Sequence, residues 1–379
     1  MARSETGQLL LTGVPGTELD AASAALYREI QPGGFILFGR NIKAPSQLRK
    51  LVDDLRGLSD IEPIITIDQE GGRVSRLRLI GNEPPNAQQL RERDRIELIE
   101  RHGAITARLL RLFGFNLDLC PVLDISFDDE ADNSLRGRCY GRDVAQTIRN
   151  AGAFNRTLRE GGIASCGKHF PGYSRAPLDA HHELPVIPLT RTELEEHELA
   201  VFRHFIAAGK NPRTETDAVD SMMVAHAQYP DLEPDGLPAS LSHRIVTGLL
   251  REELGFGGLI MTDDLDMGAI LNHYSLEETI RLAIGAGNDL AMICHRVDSL
   301  REAGKLIDRL PAAELDRALQ SVASFKKHQT YLMPPDPFSE EEYRLRDAEV
   351  YQLRLEALGP ELAAQRSPED GKRSPVELY

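Results

Sequence analysis

The chain has 379 residues, 41% of them hydrophobic and 27% charged, a soluble globular balance with room for one large barrel plus an appendage. Its 59 acidic against 44 basic residues give a net charge of −15, which repels phosphate backbones and argues against a nucleic-acid partner. No apolar run approaches the roughly 20 residues that cross a bilayer, so no membrane is expected. The opening "MARSETGQLLLTGVPG" is a poor signal peptide, which leaves the cytoplasm as the expected location.

Eight short apolar runs follow in chain order: 8–14, 34–38, 63–68, 117–124, 163–170, 221–228, 258–264 and 289–294. Most are apolar on successive residues rather than alternating, the pattern of parallel strands covered on both faces. Between them lie amphipathic helical stretches, clearest at 18–30, 44–58, 143–162 and 242–258. Paired glycines end the last two, and Ser242 offers an N-cap to the last. Eight strand–helix units predict a (β/α)8 barrel over residues 1–300. A doubly wound sheet is the alternative, but no Gly-x-Gly-x-x-Gly follows the first run. Beyond residue 300 the strands stop. The segment 301–379 predicts a C-terminal helical extension ending in a frayed tail. A polar, insertion-like stretch at 209–220 reads as an exposed loop. Cys120, Cys139, Cys166 and Cys294 form no Cys-x-x-Cys pair and read as buried thiols.

Barrel chemistry gathers at the C-terminal ends of the strands. The third run ends in Asp68, the fourth in Asp124, the fifth in Lys168-His169, the sixth near His226 and the seventh in Asp263-Asp264. Lys168 after a buried run needs a partner, which a site would supply. Asp263 directly follows the apolar run and reads as a site residue, whereas Asp264 reads as a helix cap. His226 stands between a core histidine and a site residue. The fifth run leads into "KHFPGYSRAPLDAHHELP", 168–185, whose three prolines exclude a regular helix or central strand. In an extended stretch Asp179 and His181 share a face, and a carboxylate beside an imidazole fixes its tautomer. That pair predicts a proton-transfer dyad, with His182 a bystander on the opposite side.

"DQEGGRVSR" (68–76), "KHFPG" (168–172) with the following Asp-x-His, and "GLIMTDDLDMGAI" (258–270) together resemble the bacterial β-N-acetylhexosaminidases of glycoside hydrolase family 3. The resemblance runs through most of residues 6 to 300. It implies a (β/α)8 barrel that needs no metal or other cofactor and removes terminal β-linked N-acetylglucosamine from a small glycan, often a recycled peptidoglycan fragment. It also implies roles: Asp263 as nucleophile, His181 as general acid/base with Asp179 as its dyad partner, and Asp68, Arg76, Arg138, Lys168 and His169 as the groups that grip the sugar. Cations such as Lys168 or Arg138 are expected to keep Asp263 ionised. Three places depart from the family pattern: Gly172-Tyr173-Ser174 where Gly-His-Gly is common, Ala180 where serine is common, and "RCYG" (138–141) in place of Arg-Ser-Phe. The first two predict a stiffened or re-aimed loop. Three alternatives stand beside this reading: a phosphorylase that transfers the sugar to phosphate, a metal-dependent hydrolase using His169, His181, His226 and Asp263, and a non-catalytic sugar-binding barrel.

Overall fold

Eight parallel strands close into a barrel in the computed structural model, which describes residues 5–130, 134–207, 217–328 and 335–366. They are β1 (Leu10–Gly13), β2 (Gly34–Leu37), β3 (Ile64–Ile67), β4 (Leu117–Asp118), β5 (Ala164–Phe170), β6 (Ser221–Val224), β7 (Leu259–Asp264) and β8 (Leu290–Ile293). Each pairs with its neighbour in sequence, and β1 closes on β8 with Leu10 opposite Ala291. The eight apolar runs are these eight strands, buried along nearly their whole length. The expected (β/α)8 barrel is the observed fold. β6 covers half of its run, and β4 is the shortest against its own. Pro121 has no N–H to give the ladder, so regular pairing stops at Asp118. The chain stays beside β5 through a bridge from Val122 to Lys168 and a bond from Leu123 N–H to the Lys168 carbonyl, 2.7 Å.

Local signals set the helix ends. Asp20 accepts the N–H groups of Ala22 and Ser23 at the start of Ala21–Ile30, and Asp143 accepts that of Gln146 at the start of Val144–Glu160. The latter helix ends at Gly161-Gly162, where Gly162 has φ +82°. Ser242 accepts the N–H of Ile245 as expected. The helix Arg244–Glu253 winds with the wider π turn, which nothing in its apolar spacing signals. All four cysteines are buried free thiols.

The helices after β8 dock on this barrel. Leu300–Ile307 packs on Leu276–Ala286 and Ala21–Ile30, and Ala312–His328 also lies against Leu276–Ala286. Glu340–Leu358 packs on the barrel helix Ile96–Phe113 and grips the segment 80–83, ahead of the short helix Ala87–Glu92. There the Tyr343 hydroxyl donates to the Ile80 carbonyl, Asn82 donates to Asp347, and Arg354 donates to Glu83. Among the described residues no helix is long and apolar enough to cross a membrane. Most of the expected polar loop at 209–220, and the tail from residue 367, lie outside the described residues.

Candidate active site

The strand ends collect their polar side chains as a barrel should. β3 delivers Asp68, and the chain then turns through a small hairpin, Gln69–Gly71 against Val74–Ser75, into the 3-10 turn Arg76–Leu79. β5 delivers Lys168 and His169 where its register against β6 slips between Gly167 and Phe170, a local irregularity of the sort that re-aims side chains. The Lys168 ammonium reaches Asp68 at 2.8 Å and Glu70 at 2.6 Å. Arg138 forks onto both oxygens of Glu70, each bond 2.8 Å, and Arg76 donates to the other Asp68 oxygen at 3.3 Å. These five side chains are almost wholly buried. Burial alone disfavours their charged forms. Burial pushes the Asp68 and Glu70 carboxyls up, but Lys168, Arg76 and Arg138 outweigh it and hold both below the usual carboxylate range. The same pairing raises Lys168 despite its burial. Three cations against two carboxylates form a rigid floor with an excess positive charge.

Above it opens a cleft. Asp68, Arg138, Lys168, His169, Asp179, His181 and Asp263 all line it. Arg76 lies behind Asp68. The structure therefore brings together all eight residues singled out in the sequence. Asp263, from the end of β7, accepts the N–H of Asp264 at 2.8 Å. Burial pushes its carboxyl up, yet the imidazoles of His226, His169 and His181 and that N–H outweigh it, so the pKa lies below its ordinary value. The expected helpers, Lys168 and Arg138, instead bind Asp68 and Glu70. His181 holds Asp179 through Nδ1 at 2.6 Å, and its own backbone N–H bonds the same oxygen at 3.0 Å. The pairing is the expected one, but the local geometry is not. The segment turns at Asp179, whose carbonyl accepts the N–H groups of both His182 and Glu183 at 3.1 Å. A turn closed by an aspartate on the backbone two residues on, not an extended strand, sets the dyad. His182 is exposed, as a bystander would be.

Comparison with known proteins identifies the family. The family profile described as the glycosyl hydrolase family 3 N-terminal domain matches residues 1–325. The chain belongs to glycoside hydrolase family 3. It is 36% identical to a β-hexosaminidase of Vibrio cholerae over 83% of this chain and 89% of that one, and 32% identical to one of Pseudomonas aeruginosa over 81% and 90%. Among solved structures, a family 3 β-N-acetylglucosaminidase from a Paenibacillus species superposes with a TM-score of 0.83 at 30% identity, covering 94% of this chain and 69% of that one. This chain is a glycoside hydrolase.

Within this family 3 site several residues prove to be supports. His226 is buried. Its Nε2 donates to the Asp264 carbonyl at 2.9 Å, and its Nδ1 faces the Ser240 hydroxyl at 2.7 Å. It is a satisfied core histidine. Asp264 does not cap a helix. Its carboxylate binds the N–H groups of Asp266 and Cys294, so it ties the turn after β7 to the end of β8. Asp124 accepts Nδ1 of His169 at 2.7 Å and the Tyr173 N–H at 2.6 Å, which orients the imidazole in the cleft. His295, from the end of β8, was not foreseen. Arg40 donates to its Nδ1 at 2.9 Å, so the ring proton sits on Nε2, facing Asp264 at 3.2 Å. Among the described residues no three His, Cys, Asp or Glu side chains are grouped to hold a metal ion.

Proposed function

We propose that this chain is a retaining, exo-acting β-N-acetylhexosaminidase that removes terminal β-linked N-acetylglucosamine through a covalent intermediate on Asp263. The observation that carries the reading is that Asp263 and His181 reach one cleft from two separate segments, with Nδ1 of the imidazole tied to Asp179 and Nε2 left to act. In the first step an Asp263 oxygen attacks the anomeric carbon. The glycosidic bond breaks, and the His181 imidazolium gives its Nε2 proton to the leaving oxygen. In the second step neutral His181 takes a proton from water, the water oxygen bonds the anomeric carbon, and Asp263 leaves as carboxylate. Two inversions give net retention. The depressed Asp263 pKa favours the anion this chemistry needs.

Asp68, Arg138, Lys168 and His169 hold the sugar hydroxyls, with Arg76 fixing Asp68 from behind. The closed, buried floor favours a chain end over an internal sugar. Peptidoglycan fragments as the natural substrate, and the cytoplasm as the place of work, follow from the resemblance. In this reading the barrel, 1–300, carries the chemistry and 301–379 serves as a helical extension. The metal-dependent reading lacks support at His226, whose two ring nitrogens are already engaged.

The test is turnover of an aryl N-acetyl-β-glucosaminide followed by NMR. The β-anomer should appear first, and Asp263→Asn should lose several orders of magnitude in kcat. First appearance of the α-anomer would contradict retention. Formation of sugar 1-phosphate on adding phosphate would replace hydrolysis by phosphorolysis.

A further inference from the structure

We propose that Tyr173 is a positioning residue, a latch that holds the His181 loop over the cleft before substrate arrives. The inference rests on the reading of His181 as the acid/base. Between Gly172 and Pro185 the loop has no regular structure of its own, so its shape depends on bonds to its neighbours. Tyr173 supplies the central ones. Its N–H is keyed to Asp124, the same carboxylate that orients His169, and its buried ring lies 5.9 Å from the His169 ring. Its hydroxyl then spans the loop. It accepts the Ala180 N–H at 2.8 Å and donates to the Leu178 carbonyl at 2.9 Å. Those two groups flank Asp179, so the latch fixes the backbone on both sides of the residue that aims His181.

The far side of the loop is fastened to the segment after β7, the strand that delivers Asp263. Gly268 donates to the His181 carbonyl at 2.9 Å, Ala269 to the Ala180 carbonyl at 3.0 Å, and the Asn272 side chain to the His182 carbonyl at 2.9 Å. At Gly268 a Cβ would lie 2.4 Å from the His182 carbonyl oxygen, so only glycine permits this contact. Ser174 adds a tie at the loop's start, its hydroxyl accepting the Ile125 N–H at 2.9 Å. Tyr173 and Ser174 stand where the family motif commonly has histidine and glycine. Replacing glycine narrows the freedom of the open loop, and the phenol reaches two backbone groups at once. The ordering of the acid is thus completed in the free enzyme rather than on binding.

The test compares Tyr173→Phe and His181→Gly on two N-acetyl-β-glucosaminides, one with an alkyl and one with a dinitrophenyl leaving group. The parameter is kcat/KM, which reports bond cleavage. A dinitrophenolate leaves without a proton, so only the alkyl substrate feels a misplaced acid. Whole removal of the acid in His181→Gly should cost about 10²- to 10⁴-fold on the alkyl substrate and far less on the other. Tyr173→Phe keeps the ring and should show the same asymmetry at about 10-fold. It should also be nicked faster by protease within 174–184. Equal losses on both substrates, no loss on either, or unchanged proteolysis would each overturn the latch while leaving His181 as the acid. Absence of the asymmetry in His181→Gly would overturn the acid assignment and the latch with it.

Discussion

At the scale of single residues, Glu70 decides how the floor of the cleft holds together. It sits between Lys168 and Arg138 and bonds both, and among the described residues no other carboxylate bonds Arg138. Breaking one partner out of a buried ion pair costs about 3–5 kcal/mol, because the remaining charges stay buried. Glu70→Gln should therefore lower the urea midpoint and raise KM for an aryl glycoside more than it lowers kcat, since Lys168 and Arg138, proposed to grip the sugar, lose their aim. An unchanged KM would show that Glu70 has no part in the grip. The sequence carried a signal for it. Asp68 and Glu70 lie two apart on an extended segment, so their side chains share a face. Asp263 and Lys168 were legible because each is an ionisable group at the end of an apolar run, and His181 because it lies two residues from Asp179. His295 directly follows the eighth run and passes the same test, but its contact with Arg40, 255 positions away, leaves no periodic trace.

At the scale of elements, the long helix Glu340–Leu358 is tied to the site from behind. Arg354 donates to the Glu83 carboxylate at 2.9 Å and to its carbonyl at 3.0 Å, while Arg78 reaches the other carboxylate oxygen at 3.2 Å. Arg78 belongs to the same short turn as Arg76, which bonds Asp68. The helix thus braces the turn that backs the charged floor of the cleft. Arg354→Met keeps the apolar stem and removes the charge. It should destabilise the fold by about 3 kcal/mol in urea titration and raise KM. A stability loss with KM untouched would confine the helix to a structural role. A charged, helix-favouring composition announced this element, but not where it would dock. The dyad loop shows the opposite case. Strand-like alternation led to the right pair, Asp179 with His181, although a turn sets it. Two residues apart is a contact distance in both geometries.

At the scale of the whole molecule, the barrel was legible because each strand is covered on both faces and so reads as an unbroken apolar run. Charge buried inside that barrel also shapes its response to pH. Asp118, at the end of β4, accepts the Gln69 N–H through one oxygen, and its other oxygen has no partner. Burial pushes its carboxyl up from 3.8 to about 8. The folded chain therefore holds this proton more tightly than the unfolded one. The associated stability is complete below the unfolded value and is lost as the pH climbs through the folded one. Asp118→Asn removes that titration, so its Tm relative to the parent should rise between about pH 5 and about pH 9. A constant difference would mean the carboxyl titrates normally. The central claim remains that the reaction passes through a sugar bound to the seventh strand. It is tested most directly by incubating the enzyme with a fluorinated N-acetylglucosaminyl fluoride and mapping the trapped peptide. The label should fall on Asp263. A label on another carboxylate, or none at all, would contradict the account.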